Sequence, residues 1–187
     1  SKIITTNEGG ALVTNSKKKF DFAKLYSILG RTDSKRAFWS DHIAFRYGMS
    51  NLNASLGSAQ IQRINQIVQI KRNIAKLYLD FFENNKYVKF IKEPEYGFSN
   101  YGYPNIILKK PSRKKRDKLV EYLSSKNIIS RQMFPVMSDM PMFKKRYKNP
   151  HSRLVADNAI TLPSAPKMTS SDVERVFNEI MKFFKKN

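Results

Sequence analysis

From residue 50 to residue 84 the chain keeps one hydrophobic rhythm. Leu52, Leu56, Ala59, Ile64, Ile67, Ile74, Leu77, Tyr78 and Phe81 recur largely at three- and four-residue steps, with Ser50 placed as an N-cap. One helix over that range would be about 50 Å long at 1.5 Å per residue. That outruns a small domain, so the helix is expected to bridge two lobes or to pack on a partner subunit.

The flanks differ from each other. Residues 3–6 and 11–14 are β-branched or small, and Asn7-Glu8-Gly9-Gly10 between them predicts a β-hairpin. Glu8, Gly9 and Gly10 read as hairpin architecture rather than as catalytic groups. Residues 19–29 read as a short helix with Phe22, Leu25, Tyr26 and Leu29 on one face and Gly30 as its stop. Residues 31–48 form an aromatic loop with Phe38, Trp39, Phe45 and Tyr47, read as core or subunit-interface packing. Beyond the long helix, strands are predicted at 87–91, 103–108 and 128–134, and a helix at 112–126. A Pro- and Met-rich loop follows at 135–150, then a short helix near 152–157. A capping box from Thr169 to Asp172 opens the last helix, with Val173, Val176, Phe177, Ile180 and Phe184 on one side. This alternation describes a small α/β lobe.

Composition limits the chemistry. With 187 residues, 41% of them hydrophobic, the chain can bury a core as one domain or slightly more. Having no Cys and only His42 and His151, it offers no disulfide, no thiolate and no expected metal site. No apolar run approaches the ~18 residues that span a bilayer, and no signal-peptide pattern is visible, so a cytoplasmic protein without a membrane partner is expected. The net charge of +20 comes from basic knots at 17–19, 109–110, 113–116, 144–146 and 185–186. They are dispersed along the chain, and no nucleic-acid reading motif accompanies them. A solvated basic surface is the preferred reading; a nucleic-acid-binding module is the alternative.

Residues 2–14, KIITTNEGGALVT, closely resemble the lysine segment of the DegT/DnrJ/StrS-type aminotransferases, K-x-[IL]-T-[TC]-x-E-G-G-x-[VL]-V-T. Residues 38–51, FWSDHIAFRYGMSN, resemble that family's Y-W-H-D-x-I-G-[YF]-N-[YF]-R-[ML]-[ST]-N, and LNASLGSAQ at 52–60 resembles L-x-A-A-[LI]-G-x-A-Q. SRQMFPVMSDMPMF at 130–143 resembles the perosamine-synthase branch, and AITLPSAP at 159–166 resembles G-I-N-L-P-S-x-P. The blocks run in family order through the whole chain, yet cover only the C-terminal half of a family member.

The resemblance implies a fold-type I remnant of α/β class. Residues 1–48 would be the β-hairpin remnant of the large domain that binds pyridoxal 5′-phosphate (PLP). Residues 49–84 would be the connecting helix and 85–187 the small domain. It implies that Lys2 forms the Schiff base with PLP and shuttles the proton between Cα and the cofactor C4′, as a desolvated lysine amine can. Glutamate would donate the amine, and a nucleotide-linked keto sugar would accept it, in a homodimer with shared active sites. In the family an Asn reaches the PLP phosphate of the neighbouring subunit; Arg46 stands there, and Gly48 replaces the Arg two residues on. If the stretch is extended, positions 46 and 48 share a face, so Arg46 could serve a phosphate through its fork of donors. Arg131 and Ser138 match positions near the sugar, and either could equally satisfy backbone in the small domain. Ser40 replaces a His and Pro135 an aromatic hydroxyl, which alters sugar contacts; His42 has no family role. The walls of the cofactor pocket precede the Lys in this family, so the chain alone is expected to be inactive. A catalytically silent homologue is the remaining alternative; the dehydratase branch, which carries His in place of the lysine, is not, given Lys2.

Overall fold

The computed structural model describes residues 2–32, 36–144 and 147–186; of the basic knot at 144–146, Lys145 and Arg146 fall outside them. Its elements run α1 (Lys17–Ser27), α2 (Asn51–Ile61), α3 (Ile64–Phe82), β1 (Val88–Phe90), β2 (Asn105–Leu108), α4 (Arg113–Ser125), β3 (Arg131–Gln132), a 3₁₀ turn (Met137–Asp139), α5 (Pro150–Asn158), β4 (Ala159–Thr161) and α6 (Ser170–Lys186). They divide into two compact units, residues 2–64 and 65–187.

The second unit owns the hydrophobic core. Its sheet has the order β1-β2-β4-β3 and is antiparallel throughout, with Val88 opposite Leu108, Ile106 opposite Ile160, and Gln132 opposite Ile160 on the other side. Strand alternation buries Val88, Phe90, Ile106 and Leu108 and leaves Lys89 exposed. Ile74, Tyr78 and Phe82 form a stripe on α3; Leu119 and Leu123 of α4 and Val173, Val176, Ile180 and Phe184 of α6 complete the cluster. Caps follow the expected chemistry. Ser112 accepts from the Lys115 N–H at 3.2 Å, and Thr169 and Asp172 cap each other's N–H groups reciprocally. Buried Arg116 donates to the Ala156 carbonyl at 2.7 Å, tying α4 to α5.

Ion pairing fixes the long loop between β1 and β2. Arg72 on α3 grips Glu93 bidentately, at 2.9 and 2.6 Å, and also donates to the Ser99 carbonyl. Glu93 accepts from the Ser99 N–H at 2.6 Å, while its own N–H donates to the Tyr101 hydroxyl at 2.8 Å. The guanidinium lies 4.1 Å from the centre of the Phe98 ring. The Arg72 fork, with the Ser99 N–H, pulls the Glu93 carboxyl down to about 2.

Four expectations need correction. The helix over 50–84 is two helices, broken after Ile61: Arg63 N–H bonds the Gln60 carbonyl, three residues back, at 3.0 Å. The hairpin over 3–14 does not form. Thr5 has its backbone groups taken by the Gln60 side chain, and residues 5–8 close their own turn through Thr5, Thr6 and Glu8. A two-stranded ribbon by itself is marginal, so the segment keeps no ladder. The strand predicted over 128–134 shrinks to Arg131–Gln132, because the Ile128 N–H caps α4 through the Leu123 carbonyl and Pro135 has no N–H to give. The central strand β4 was not predicted at all.

The first unit is built differently. Among its described residues only Gly30 and Gly57 are buried. Gly30 ends α1 at φ +65°, its N–H bonded to the Leu25 carbonyl, and a Cβ there would sit 2.2 Å from the His42 carbonyl oxygen. Gly30→Ala should therefore destabilise this unit by about 2 kcal/mol or more, read from the urea midpoint of Trp39 fluorescence, since Trp39 is the sole Trp and lies in this unit. An unchanged midpoint would contradict the steric account. The Glu93 carboxyl is depressed in the fold, so its contribution is complete above the unfolded value near 4.5 and is lost as pH falls through about 2. In Glu93→Gln, helical circular dichroism should show a shallower loss of stability across that window than in the wild type; equal slopes would deny the pair its role.

Candidate active site

Two threads of backbone meet on α2 in the first unit. Ser50 caps the helix, accepting from the Asn53 N–H at 3.2 Å. Gln60, at its other end, accepts the Thr5 N–H through Oε1 at 3.1 Å and donates through Nε2 to the Thr5 carbonyl. Between them, Gly57 faces Thr6 so closely that a Cβ would stand 2.7 Å from the Thr6 methyl carbon. Farther along, Gly9 takes φ +122°, and a Cβ on it would meet the Met49 methyl at 2.8 Å. Residues 5–9 are thus seated on α2 and on the turn before it. Lys2 lies three residues upstream of Thr5, exposed, and its amine makes no hydrogen bond or ion pair among the described residues.

Arg46 lies in an extended stretch held against the end of α1. It forms an isolated antiparallel bridge with Ile28; Leu29 N–H donates to the Phe45 carbonyl and Tyr47 N–H to the Ser27 carbonyl, both at 2.9 Å. The Phe45 and Tyr47 rings stack with centroids 5.0 Å apart. Alternation then puts Arg46 and Gly48 together on the opposite side. The Arg46 side chain is exposed. His42 contributes its carbonyl to the tight packing at Gly30 and its ring to a stack with Tyr26.

Arg131 and Ser138 belong to the second unit. Arg131 opens β3, opposite Thr161, and its guanidinium stands 4.6 Å from the Tyr103 ring centre and 5.3 Å from that of Phe134. Phe134 and Ser138 share the wall of a cavity of about 600 Å³ whose polar lining includes Asn149, His151 and Ser152. The Ser138 hydroxyl accepts from the Asn149 amide at 3.1 Å, across the mouth of α5. Lys2 and Arg46 thus fall in one unit, Arg131 and Ser138 in the other.

The sequence reading missed Gln60, Gly57 and Lys71 as individuals. Gln60 and Gly57 sit inside the quoted LNASLGSAQ block, three residues apart on one helical face; the signal was present as a motif without a contact to explain it. Lys71 on α3 donates to the Ser164 carbonyl and, at 3.2 Å, to its hydroxyl, and burial holds its amine below the ordinary lysine range. That pair anchors the LPSAP block on α3. Among the described residues no His/Asp/Glu cluster could hold a metal, and no helix is long and apolar enough to cross a membrane.

The whole chain matches known proteins. The sequence profile of the DegT/DnrJ/EryC1/StrS aminotransferase family covers residues 1–181. A GDP-perosamine synthase of Vibrio cholerae is 32% identical over 187 residues, taking in 98% of this chain and 50% of the relative. In fold, the chain is similar to Helicobacter pylori PseC, an aminotransferase involved in the biosynthesis of pseudoaminic acid, with a TM-score of 0.90 at 18% identity over 100% of this chain and 51% of that one. It is also similar to Spr1654 of Streptococcus pneumoniae in its PLP-form, with a TM-score of 0.79 at 19% identity over 99% and 50%. The chain spans about half the length of the curated relatives it matches.

Proposed function

The chain belongs to the DegT/DnrJ/EryC1/StrS aminotransferase family, and from that premise we propose that it forms part of a PLP-dependent enzyme aminating a nucleotide-linked keto sugar, with glutamate as amino donor. The observation that carries this reading is the lysine segment itself: residues 2–14 keep the family pattern, and the Lys2 amine at its head is exposed and unengaged among the described residues. Similarity to GDP-perosamine synthases favours a GDP-linked sugar as the acceptor, and we read the product as a deoxyaminosugar for polysaccharide biosynthesis.

The residues present fit the cofactor. A free primary amine at Lys2 can hold PLP covalently, and the Arg46 guanidinium, projecting away from the Phe45–Tyr47 stack, offers a planar fork of donors suited to a phosphate. PLP, when bound, supplies the electron sink that makes a Cα proton removable. Lys2 Nζ would be the base that accepts that proton and later gives it back. Arg131, braced between Tyr103 and Phe134, presents a cation for the nucleotide-linked sugar, and Ser138 a hydroxyl at the neighbouring cavity. In this reading the working enzyme is a cytoplasmic homodimer with shared active sites. In this reading residues 1–187 alone are inactive, because Lys2 is exposed and the chain spans only about half the length of its relatives, so the rest of the cofactor pocket would have to come from elsewhere.

With PLP and glutamate supplied, residues 1–187 should give no transamination and no stoichiometric cofactor fixed on Lys2 by borohydride. A stable one-to-one attachment, located by peptide mass spectrometry, would overturn the claim that the chain is insufficient. In the holoenzyme containing this chain, Lys2→Arg should lower amino transfer by about 10²–10⁴-fold; retention of a tenth or more of the wild-type rate would remove Lys2 from its role.

A further inference from the structure

We propose that Gln60 is a positioning residue for Lys2, fixing the lysine-bearing backbone through its side-chain amide. The inference rests on the reading of Lys2 as the residue that holds the cofactor. One amide makes both contacts: its oxygen takes the Thr5 N–H at 3.1 Å, and its nitrogen donates to the Thr5 carbonyl, across 55 positions of sequence. This is the exchange that one residue of a neighbouring strand would make with Thr5 in an antiparallel ladder. The side chain therefore stands in for a strand at the one point where the segment would otherwise have none.

The chemistry selects glutamine. An ionised carboxylate could accept from the N–H but would face the carbonyl with a lone pair, and Lys has donors only. Asn carries both groups on a stem one methylene shorter. The pair also fixes which way the amide points, since the reverse placement would set donor against donor. A second contact sets the register. Gly57, one helical turn back, admits the Thr6 methyl where any Cβ would collide at 2.7 Å, so a slip by one residue would drive a different side chain into that gap. Lys2 is only three Cα–Cα steps from Thr5, so the clamp limits Lys2 Cα to a sphere about 10 Å in radius, and the extended backbone narrows it further.

Gln60→Met keeps the length of the side chain and removes both hydrogen bonds to Thr5, with the long one that Nε2 gives the Leu56 carbonyl at 3.4 Å; Gln60→Glu keeps the acceptor and removes the donor. At neutral pH, exchange of the Thr5 amide in the full chain should be roughly tenfold faster or more in Gln60→Met than in the wild type, and intermediate in Gln60→Glu. In the holoenzyme, the rate at which borohydride-trappable cofactor accumulates on Lys2 should fall by a similar factor and in the same order. The pH midpoint of the bound cofactor's visible absorption band, which reports on the lysine–cofactor bond, should move as well. A merely structural residue would leave that midpoint in place. Gly57→Ala, which leaves the amide intact but obstructs Thr6, should reproduce the slower attachment and guards against a variant that fails to fold. Faster Thr5 exchange with wild-type attachment and midpoint would overturn the positioning role alone, as would unchanged Thr5 exchange. Cofactor fixed on a different lysine in the wild type would instead overturn the assignment of Lys2, and with it this proposal.

Discussion

Tyr78 is the residue around which the larger unit is organised. Its ring is fully buried on α3, stacked on Phe82 with centroids 6.4 Å apart, and its hydroxyl donates to the Pro163 carbonyl at 2.9 Å. A buried phenol needs a partner for its O–H, and here the partner lies just past the central strand β4. Burial raises the hydroxyl well above the ordinary tyrosine range, so it stays a donor at every relevant pH. One side chain thus joins the helix to the chain segment leaving the sheet's centre. Ile74, Ala75 and Phe82 on the same stripe and Val173, Val176 and Ile180 of α6 close around it. Lys71, one turn before Ala75, continues the seam by holding Ser164.

The smaller unit is ordered by other means. It buries no large side chain among its described residues, and Leu12, Val13, Phe22, Phe38, Ile43 and Leu52 are all more than half exposed. What shapes it is polar and steric: a glycine at positive φ beneath a carbonyl at Gly30, a side-chain amide standing in for a strand at Gln60, a backbone bridge between Ile28 and Arg46. Such contacts specify geometry well and stabilise weakly, because each exchanges a hydrogen bond with water for one within the protein. These large apolar side chains stay open to solvent in this structure. This unit fixes its backbone without burying a large side chain among its described residues.

The sequence disclosed whatever depends on local chemistry. The Thr169–Asp172 box, the Ser50 cap, the Gly30 stop and the face of α6 are all written in residues within four positions of one another. The failures share a cause as well. The break after Ile61 falls at the single five-residue step between Ala59 and Ile64, a slip in phase that a search for overall periodicity passes over. Strand β4 is three residues long and follows α5 without a turn, so neither length nor punctuation marks it. The hairpin signal at Asn7–Gly10 was sound as turn chemistry, since Asn7 and Gly9 do take positive φ. It failed because the partner of Thr5 is a side chain 55 residues away. Nothing within reach of residues 3–14 could reveal that.

The same contrast explains why the functional motifs were legible as strings before they were legible as structure. Lys2 and Arg46 carry chemistry on their own side chains, so residue type alone brings them forward. Gly57 and Gln60 carry none; their value lies in what they permit at Thr6 and hold at Thr5. A glycine inside a helix costs about 1 kcal/mol against alanine, and Gly57 sits well inside α2, where no turn or positive φ calls for it. That local cost is the trace a nonlocal requirement leaves in a sequence. It marks the place where another segment comes too close for a Cβ, although not which segment. In this chain the segment is the one that begins with the lysine.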